Sequence, residues 1–212
     1  MAVDGASDDL AEDIREIVPL DFPLSSFDID LEAIRRDVAG LQAVKSARVK
    51  VQSGGVLQIL IDERQPVAVW RSYEGLELVD AEGVAFRALE SRFERPDLPL
   101  VAGKGAQKNL AEAMQVLAAA SPIQGRLRGL ARIGERRWDV VLDRNQRIML
   151  PEERAVQALH RVLALNTARD LLARDVGVVD MRLAHRPTIR MSEEATRQRW
   201  KVRASEVGIQ EQ

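Results

Sequence analysis

The sequence predicts an α+β protein in two parts. A small strand–helix–helix–strand–strand unit spans about residues 1–70, a mostly antiparallel β unit with flanking helices spans 71–192, and a polar tail runs from 193 to 212. Three observations predict this. Apolar residues recur at helical spacing before residue 40, at strand spacing from Ala47 to Phe86, and in alternating strand and helix patterns thereafter. The length suffices for a core in each part.

Ser7 or Asp8 is placed to cap a helix reaching Val18, with Leu10, Ile14, Ile17 and Val18 on one stripe, acidic residues in the first turn and Pro19 at its end. Phe22, Leu24 and Phe27, around Pro23, are expected to plug the core from a loop. Asp30 caps a second helix carrying Leu31, Ile34 and Val38, which Gly40 is expected to stop in the left-handed conformation. Ala47, Val49 and Val51 alternate in a strand, and Ser53-Gly54-Gly55 turns it into the next.

That next stretch organises the chain. Val56 to Glu63 alternates Leu57, Ile59 and Ile61 against Gln58 and Asp62, the period of a half-buried strand. Pro66 donates no backbone hydrogen bond, so Glu63-Arg64-Gln65-Pro66 is expected to be where the chain leaves one sheet for another. Val67 to Trp70 resumes in extended form, Glu74-Gly75 turns, Leu76 to Val79 is a strand, and Asp80 to Gly83 turns into Val84 to Phe86.

From Phe86 to about Lys108 the sequence reads as a loop holding Pro96, Pro99, Gly103 and Gly105. A helix with Leu110, Ala113, Met114 and Leu117 ends at Ser121-Pro122. Leu130 to Ile133 is a strand, Val140 and Leu142 alternate, Asp143 to Gln146 turns, and Ile148 and Leu150 return. Pro151 is expected as the first residue of a helix with Val156, Leu159 and Leu163 on one face. A shorter helix around Ala168 to Ala173 leads to a strand from Val178 to Leu183, a turn at Ala184 to Pro187, and the last strand, Thr188 to Met191. The tail from Ser192 is expected to fray or be disordered.

A formal net charge of -2, from 31 Lys plus Arg against 33 Asp plus Glu, sets up no global field for nucleic acid or an anionic membrane. With no cysteine, disulfides and thiolate metal sites are excluded. No apolar run reaches the roughly eighteen residues of a membrane span, and no signal peptide is visible. His160 and His185 have no second histidine at ligand spacing, and Gly54-Gly55 suits a hairpin turn better than a phosphate loop. Asp139 and Asp143, four apart on an expected strand, would face one way as a carboxylate pair, but arginines near both favour solvated ion pairs at strand ends. Arg126, Arg128, Arg132, Arg136 and Arg137 form a basic cluster broken by Glu135 and Asp139. No catalytic, cofactor or metal site is expected. The last strand, Thr188-Ile189-Arg190-Met191, is either an edge whose unpaired N–H and C=O groups invite another chain, or is internal or covered by the tail.

Ile59, Glu63, Arg64, Pro66 to Ala68 and Trp70, followed by Leu76 to Asp80, Gly83 and Phe86, form a run that resembles the FtsQ/DivIB bacterial cell-division proteins. Leu98-Pro99 with Gly103, Arg136 with Trp138, and Val179-Asp180-Met181-Arg182 follow in the family's order, so the resemblance covers almost the whole chain. It implies that the first unit is a POTRA domain, with Met1 to Gly5 the end of its first strand, and that the second is the family's β domain. A short cytoplasmic tail and one transmembrane helix would precede Met1, leaving this chain on the periplasmic side of the inner membrane.

The resemblance also implies a non-catalytic scaffold that binds FtsB and FtsL by strand addition at its last strand. Carried over by position, the partner-binding residues are Arg136, Leu183, Thr188, Ile189, Arg190 and Met191. The POTRA domain, through its second helix and the strand Val44 to Val51, would serve recruitment to the division site. This chain departs from the family in having Leu183 and Met191 where aromatic residues are expected, and His185-Arg186-Pro187 where a glycine-bearing turn is expected. The alternatives are a POTRA component of an outer-membrane assembly or secretion machine and a periplasmic cell-wall hydrolase. A single such unit without barrel-like strands counts against the first, and the lack of a catalytic motif against the second.

Overall fold

A computed structural model describes residues 1–18, 29–183, 186–192, 195–198, 200 and 203. The expected plugs Phe22, Leu24 and Phe27 with Pro19 and Pro23, the turn residues Ala184 and His185, and most of the polar tail lie outside the described residues.

Strands β1 (Ala2–Asp4), β2 (Val44–Val51) and β3 (Leu57–Glu63) form a sheet of order β1–β3–β2, with β1 parallel and β2 antiparallel to β3. Helices α1 (Asp8–Ile17) and α2 (Leu31–Ala39) bury Leu10, Ile14 and Val38 against Ala47, Leu57, Ile59 and Ile61. This is the expected strand–helix–helix–strand–strand order. Asp30 caps α2, its carboxylate accepting the Glu32 and Ala33 N–H groups at 3.1 and 2.9 Å. Two terminal signals act differently from expectation. Ser7 makes no side-chain cap on α1; its hydroxyl and N–H both donate to Glu63 on β3, which ties the helix start to the sheet. Gly40 is right-handed, with φ −74°, because its N–H goes back to the Arg36 and Asp37 carbonyls and continues the last turn.

The larger sheet has nine strands in the order β12–β11–β10–β9–β8–β7–β4–β5–β6. These are β4 (Ala68–Arg71), β5 (Leu76–Val79), β6 (Ala85–Leu89), β7 (Leu100–Ala102), β8 (Leu127–Ile133), β9 (Arg137–Leu142), β10 (Arg147–Met149), β11 (Val176–Asp180) and β12 (Thr188–Met191). Most neighbours are antiparallel, but β7 is parallel to both β4 and β8, and β10 to β11. Strand β7 falls inside the expected loop. Its three residues sit between Pro99 and Gly103, too short for a period to show, and only Val101 is fully buried between the two parallel neighbours. Trp70 fastens its end, the indole N–H donating to the Gly103 carbonyl at 2.9 Å. Gly103 has φ +99°, and a Cβ there would lie 2.5 Å from the Arg132 carbonyl, so only glycine lets β7 meet β8 closely.

Helices α3 (Leu110–Ala119) and α4 (Ala155–Arg169) pack on one face of this sheet, burying Leu110, Ala113, Val116, Leu159 and Val162 against Leu130, Trp138, Val140, Ile148 and Val179. Pro151 does not start α4. Arg154, left-handed at φ 59°, turns the chain into the helix at Ala155, four residues later than the proline signal indicates. The expected separate helix around Ala168 to Ala173 is the end of α4, a left-handed Asp170 and a 3-10 turn over Leu171–Ala173. A second, smaller cluster of Val69, Leu78, Phe86 and Leu89 lies at the β4–β6 end, with Ala43 of the first unit packed against it.

The two sheets meet at Arg64, in the segment expected from the sequence to be the crossing. Its N–H donates to the Ala43 carbonyl at 2.8 Å, its Nε donates to the Gln42 carbonyl at 3.2 Å, and its guanidinium pairs with Asp80 in the β5–β6 turn. Lys45 adds an exposed pair to Glu82 at 2.7 Å. The Asp80 side chain is only 3% exposed. Burial by itself raises its pKa, but the bonds from the Val84 N–H and from Arg64 outweigh burial and hold the carboxyl below its ordinary value. Replacing Asp80 with Asn leaves Arg64 without its counter-charge, and should cost about 3 kcal/mol of stability in urea melts at neutral pH. Because the folded pKa lies below the unfolded value of about 3.9, this contribution is complete above that value and is lost as pH falls through the folded pKa. The acid limb of the stability curve should therefore be shallower in Asp80→Asn than in the parent.

Candidate partner-binding edge

The far side of the large sheet is built by a crossover. β10 and β11 run parallel in the register Arg147↔Val178, Ile148↔Val179 and Met149↔Asp180, and α4 supplies the connection that a parallel pair requires. The returning chain is held by Gln146, which is 4% exposed. Its carboxamide nitrogen faces the carbonyls of Leu172, Arg174 and Val176 at 3.2, 3.3 and 2.7 Å, while its oxygen accepts from Arg126. Arg126 also donates to Asp143 and to the Leu172 carbonyl. Sequence pattern alone marks Gln146 only as a turn residue. β11 begins at Val176 and ends at Asp180, two residues earlier at its start and three at its end than expected, because these carbonyl anchors set where the chain joins β10.

β12 is the last strand of the sheet, and among the described residues no strand pairs with its outer side. All its residues are exposed, Ile189 at 48% and Met191 at 42%. The Ser192 N–H donates inward to the Asp175 carbonyl at 2.8 Å, and the Met181 N–H donates away from β12, to Met149 on β10. Strand alternation then points the Arg190 and Thr188 backbone groups toward β11 and those of Ile189 outward. The other edges are less suited to a partner. β6 carries a bulge at Phe86, β1 has three residues, and β2 presents Lys45, Arg48 and Lys50.

The pleat gives β12 two faces. Ile189 continues the buried row Val140–Ile148–Val179 outward, beyond the cover of α4. Thr188 and Arg190 belong to the opposite face, in the rows Asp139–Met149–Asp180–Thr188 and Val141–Arg147–Val178–Arg190. Leu183 lies past the end of β11, 68% exposed, in an open groove of about 300 Å³ lined also by Asp180, Arg182, Arg186 and Thr188. Arg136 is exposed in the β8–β9 turn, at the same end of the sheet as Thr188 but three strands away. The structure thus brings Leu183 and the four β12 residues together, and leaves Arg136 apart from them.

The supposed carboxylate pair does not exist. Asp143 lies in the turn after β9 and is ion-paired to Arg126 at 2.6 Å, whereas Asp139 is mid-strand and 2% exposed. The five-arginine cluster also disperses. Arg132 is buried under α3, bonded to Glu112 at 2.6 Å and stacked over Trp138, whose indole N–H donates to the same Glu112 oxygen at 2.9 Å. Arg137 stands 3.9 Å from Asp139. His160 is exposed on α4. Burial pushes the Asp139 carboxyl above its ordinary value, against the pull of Arg137, Arg147 and Arg182, and its Oδ1 has no hydrogen-bond partner among the described residues. A carboxyl raised in the folded state costs stability above its folded pKa, and the cost vanishes as pH falls below the unfolded value. Asp139→Asn should therefore raise the thermal midpoint at neutral pH, with the gain disappearing in acid. An unchanged or lowered midpoint at neutral pH would contradict this.

Among the described residues no group of three or more His, Cys, Asp or Glu side chains is arranged to hold a metal, and no helix is long and apolar enough to cross a membrane. Residues 68–182 match the family model described as Cell division protein FtsQ/DivIB, C-terminal. The chain is 54% identical to the cell division protein FtsQ of Roseobacter litoralis over 203 residues, 96% of this chain and 69% of that protein. The FtsQ of Dinoroseobacter shibae is 50% identical over 96% of this chain and 68% of its own length, and that of Cereibacter sphaeroides 50% over 91% and 62%. The chain belongs to the FtsQ/DivIB family and has its role in bacterial cell division.

Proposed function

We propose that this chain is a non-catalytic scaffold of the divisome, which binds FtsB and FtsL and links early and late division proteins to control septal peptidoglycan synthesis. In this reading it works on the periplasmic side of the inner membrane, tethered by a single N-terminal helix of the kind the family resemblance implies. The observation that carries it is β12, an exposed terminal strand with the Ile189 backbone directed outward. A partner strand added there gains main-chain hydrogen bonds at an edge otherwise satisfied by water. Leu183 and Met191, in place of the aromatic residues expected there, make the contact less dependent on rings, and Arg136 reaches a more distant part of the partner.

The first unit, read as a POTRA domain, supplies recruitment through α2 and β2. Its expected boundary near residue 70 falls within β4, which is paired on both sides in the large sheet. The division is better drawn at Arg64 to Val67, between the end of β3 and the start of β4.

The test is Ile189→Pro. Proline at this position removes an outward N–H and no bond to β11, so the variant should keep its circular dichroism spectrum and thermal midpoint. Mixed with a co-purified FtsB–FtsL periplasmic heterodimer, the parent should form a complex by size exclusion with light scattering, and the variant should not. A folded variant that still forms the complex would rule out strand addition at β12.

A further inference from the structure

The strand that docks on β12 must match its two faces, and those faces differ in charge. On the face away from the helices, Asp180 gives both oxygens to Arg182, and Asp139 lies 3.9 Å from Arg137 without a hydrogen bond, its charge shared among Arg137, Arg147 and Arg182. Neither Arg147 nor Arg190 forms an ion pair with a described carboxylate. These two arginines lie in one row, Arg147↔Val178↔Arg190, separated by a single strand, about 10 Å at ordinary sheet spacing. Arg190 is at the rim, its guanidinium 3.9 Å from the Met149 sulfur and within electrostatic reach of Asp180, whose oxygens Arg182 already holds. The other face offers Ile189 and Met191, half-exposed extensions of the core.

Resting on the strand-addition reading of β12, we infer that the incoming strand carries an acidic side chain directly opposite Arg190, with apolar side chains on the flanking positions that face Ile189 and Met191. The acid balances the excess positive charge of the row. Directly opposed residues of neighbouring strands have Cβ atoms about 5 Å apart, close enough for opposite charges to attract and like charges to repel. The apolar neighbours extend the row Val140–Ile148–Val179–Ile189 by one more strand, covering surface that α4 does not reach. Arg190 is thus the specificity residue of the edge, and a strand with lysine in that place binds more weakly.

Fluorescent peptides test this with the full chain. Each alternates valine and threonine, and the central polar position is Glu, Gln or Lys. Anisotropy should show the Glu peptide binding about fivefold more tightly than the Lys peptide at low salt, with Gln between. Arg190→Glu should invert the order, and Ile189→Pro should abolish binding of all three. Equal binding of Glu and Lys peptides, lost in Ile189→Pro, overturns the charge assignment while the edge stands. A charge preference that survives Ile189→Pro overturns the edge itself, and binding by none of the peptides counts against both.

Discussion

The path of the chain from one sheet into the other depends on Arg64. Its backbone and side chain hold the Gln42–Ala43 segment ahead of β2, and its guanidinium reaches the carboxylate of Asp80 in the β5–β6 turn. Three stretches distant in sequence are therefore joined by one side chain. A long flexible arginine is held in this setting because its Nε–H donates to the Gln42 carbonyl, a terminal N–H to Asp80, and its counter-ion is shielded from water. Pro66, two residues on, adds what arginine cannot, a backbone that leaves β3 without competing for its ladder. Ala43 packs at the edge of the apolar clusters on both sides of this joint, so the polar clamp closes over a small hydrophobic contact.

Buried charge is used in two opposite ways in the large sheet. Glu112 of α3 is answered by the Arg132 guanidinium and the Trp138 indole N–H, although the Arg132 Nε has no partner among the described residues. Asp139, one residue from Trp138 and on the other face, has an oxygen with no described partner and a raised pKa. Asp80 and Asp139 are about equally buried, yet their pKa values move in opposite directions. The difference is that Asp80 accepts a backbone N–H and a charged donor at bonding distance, whereas Asp139 has its cations nearby without a bond.

The candidate edge follows from how the helices are placed. α3 and α4 cover one face of the sheet only as far as β11, so the next strand keeps its apolar row partly in water. β12 is held on its inner side by β11, which is itself fixed by the Gln146 contacts to the carbonyls of Leu172 and Arg174 before it and of its first residue, Val176. An edge presented by a well-anchored strand loses little conformational entropy on pairing, which favours recognition by strand addition.

Much of the fold is legible in the residues. Alternation in Val44–Val51 and Leu57–Glu63, the Asp30 cap and the glycine turn between the two strands are short-range signals, and each sets its element near its observed place. Thr188 to Met191 is legible as a strand for the same reason. The unforeseen β7, the delayed start of α4, the right-handed Gly40 and the burial of Asp139 share a different cause. Each depends on what lies beside the residue in space: β4 and β8 around β7, the turn at Arg154, the last carbonyls of α2, and the long side chains around Asp139. A side-chain period tells which face of a strand is apolar, and by itself determined that β12 has one apolar and one charged face. Which strand stands next to it is decided by contacts remote in sequence, so only the tertiary structure placed β12 at the rim of the sheet.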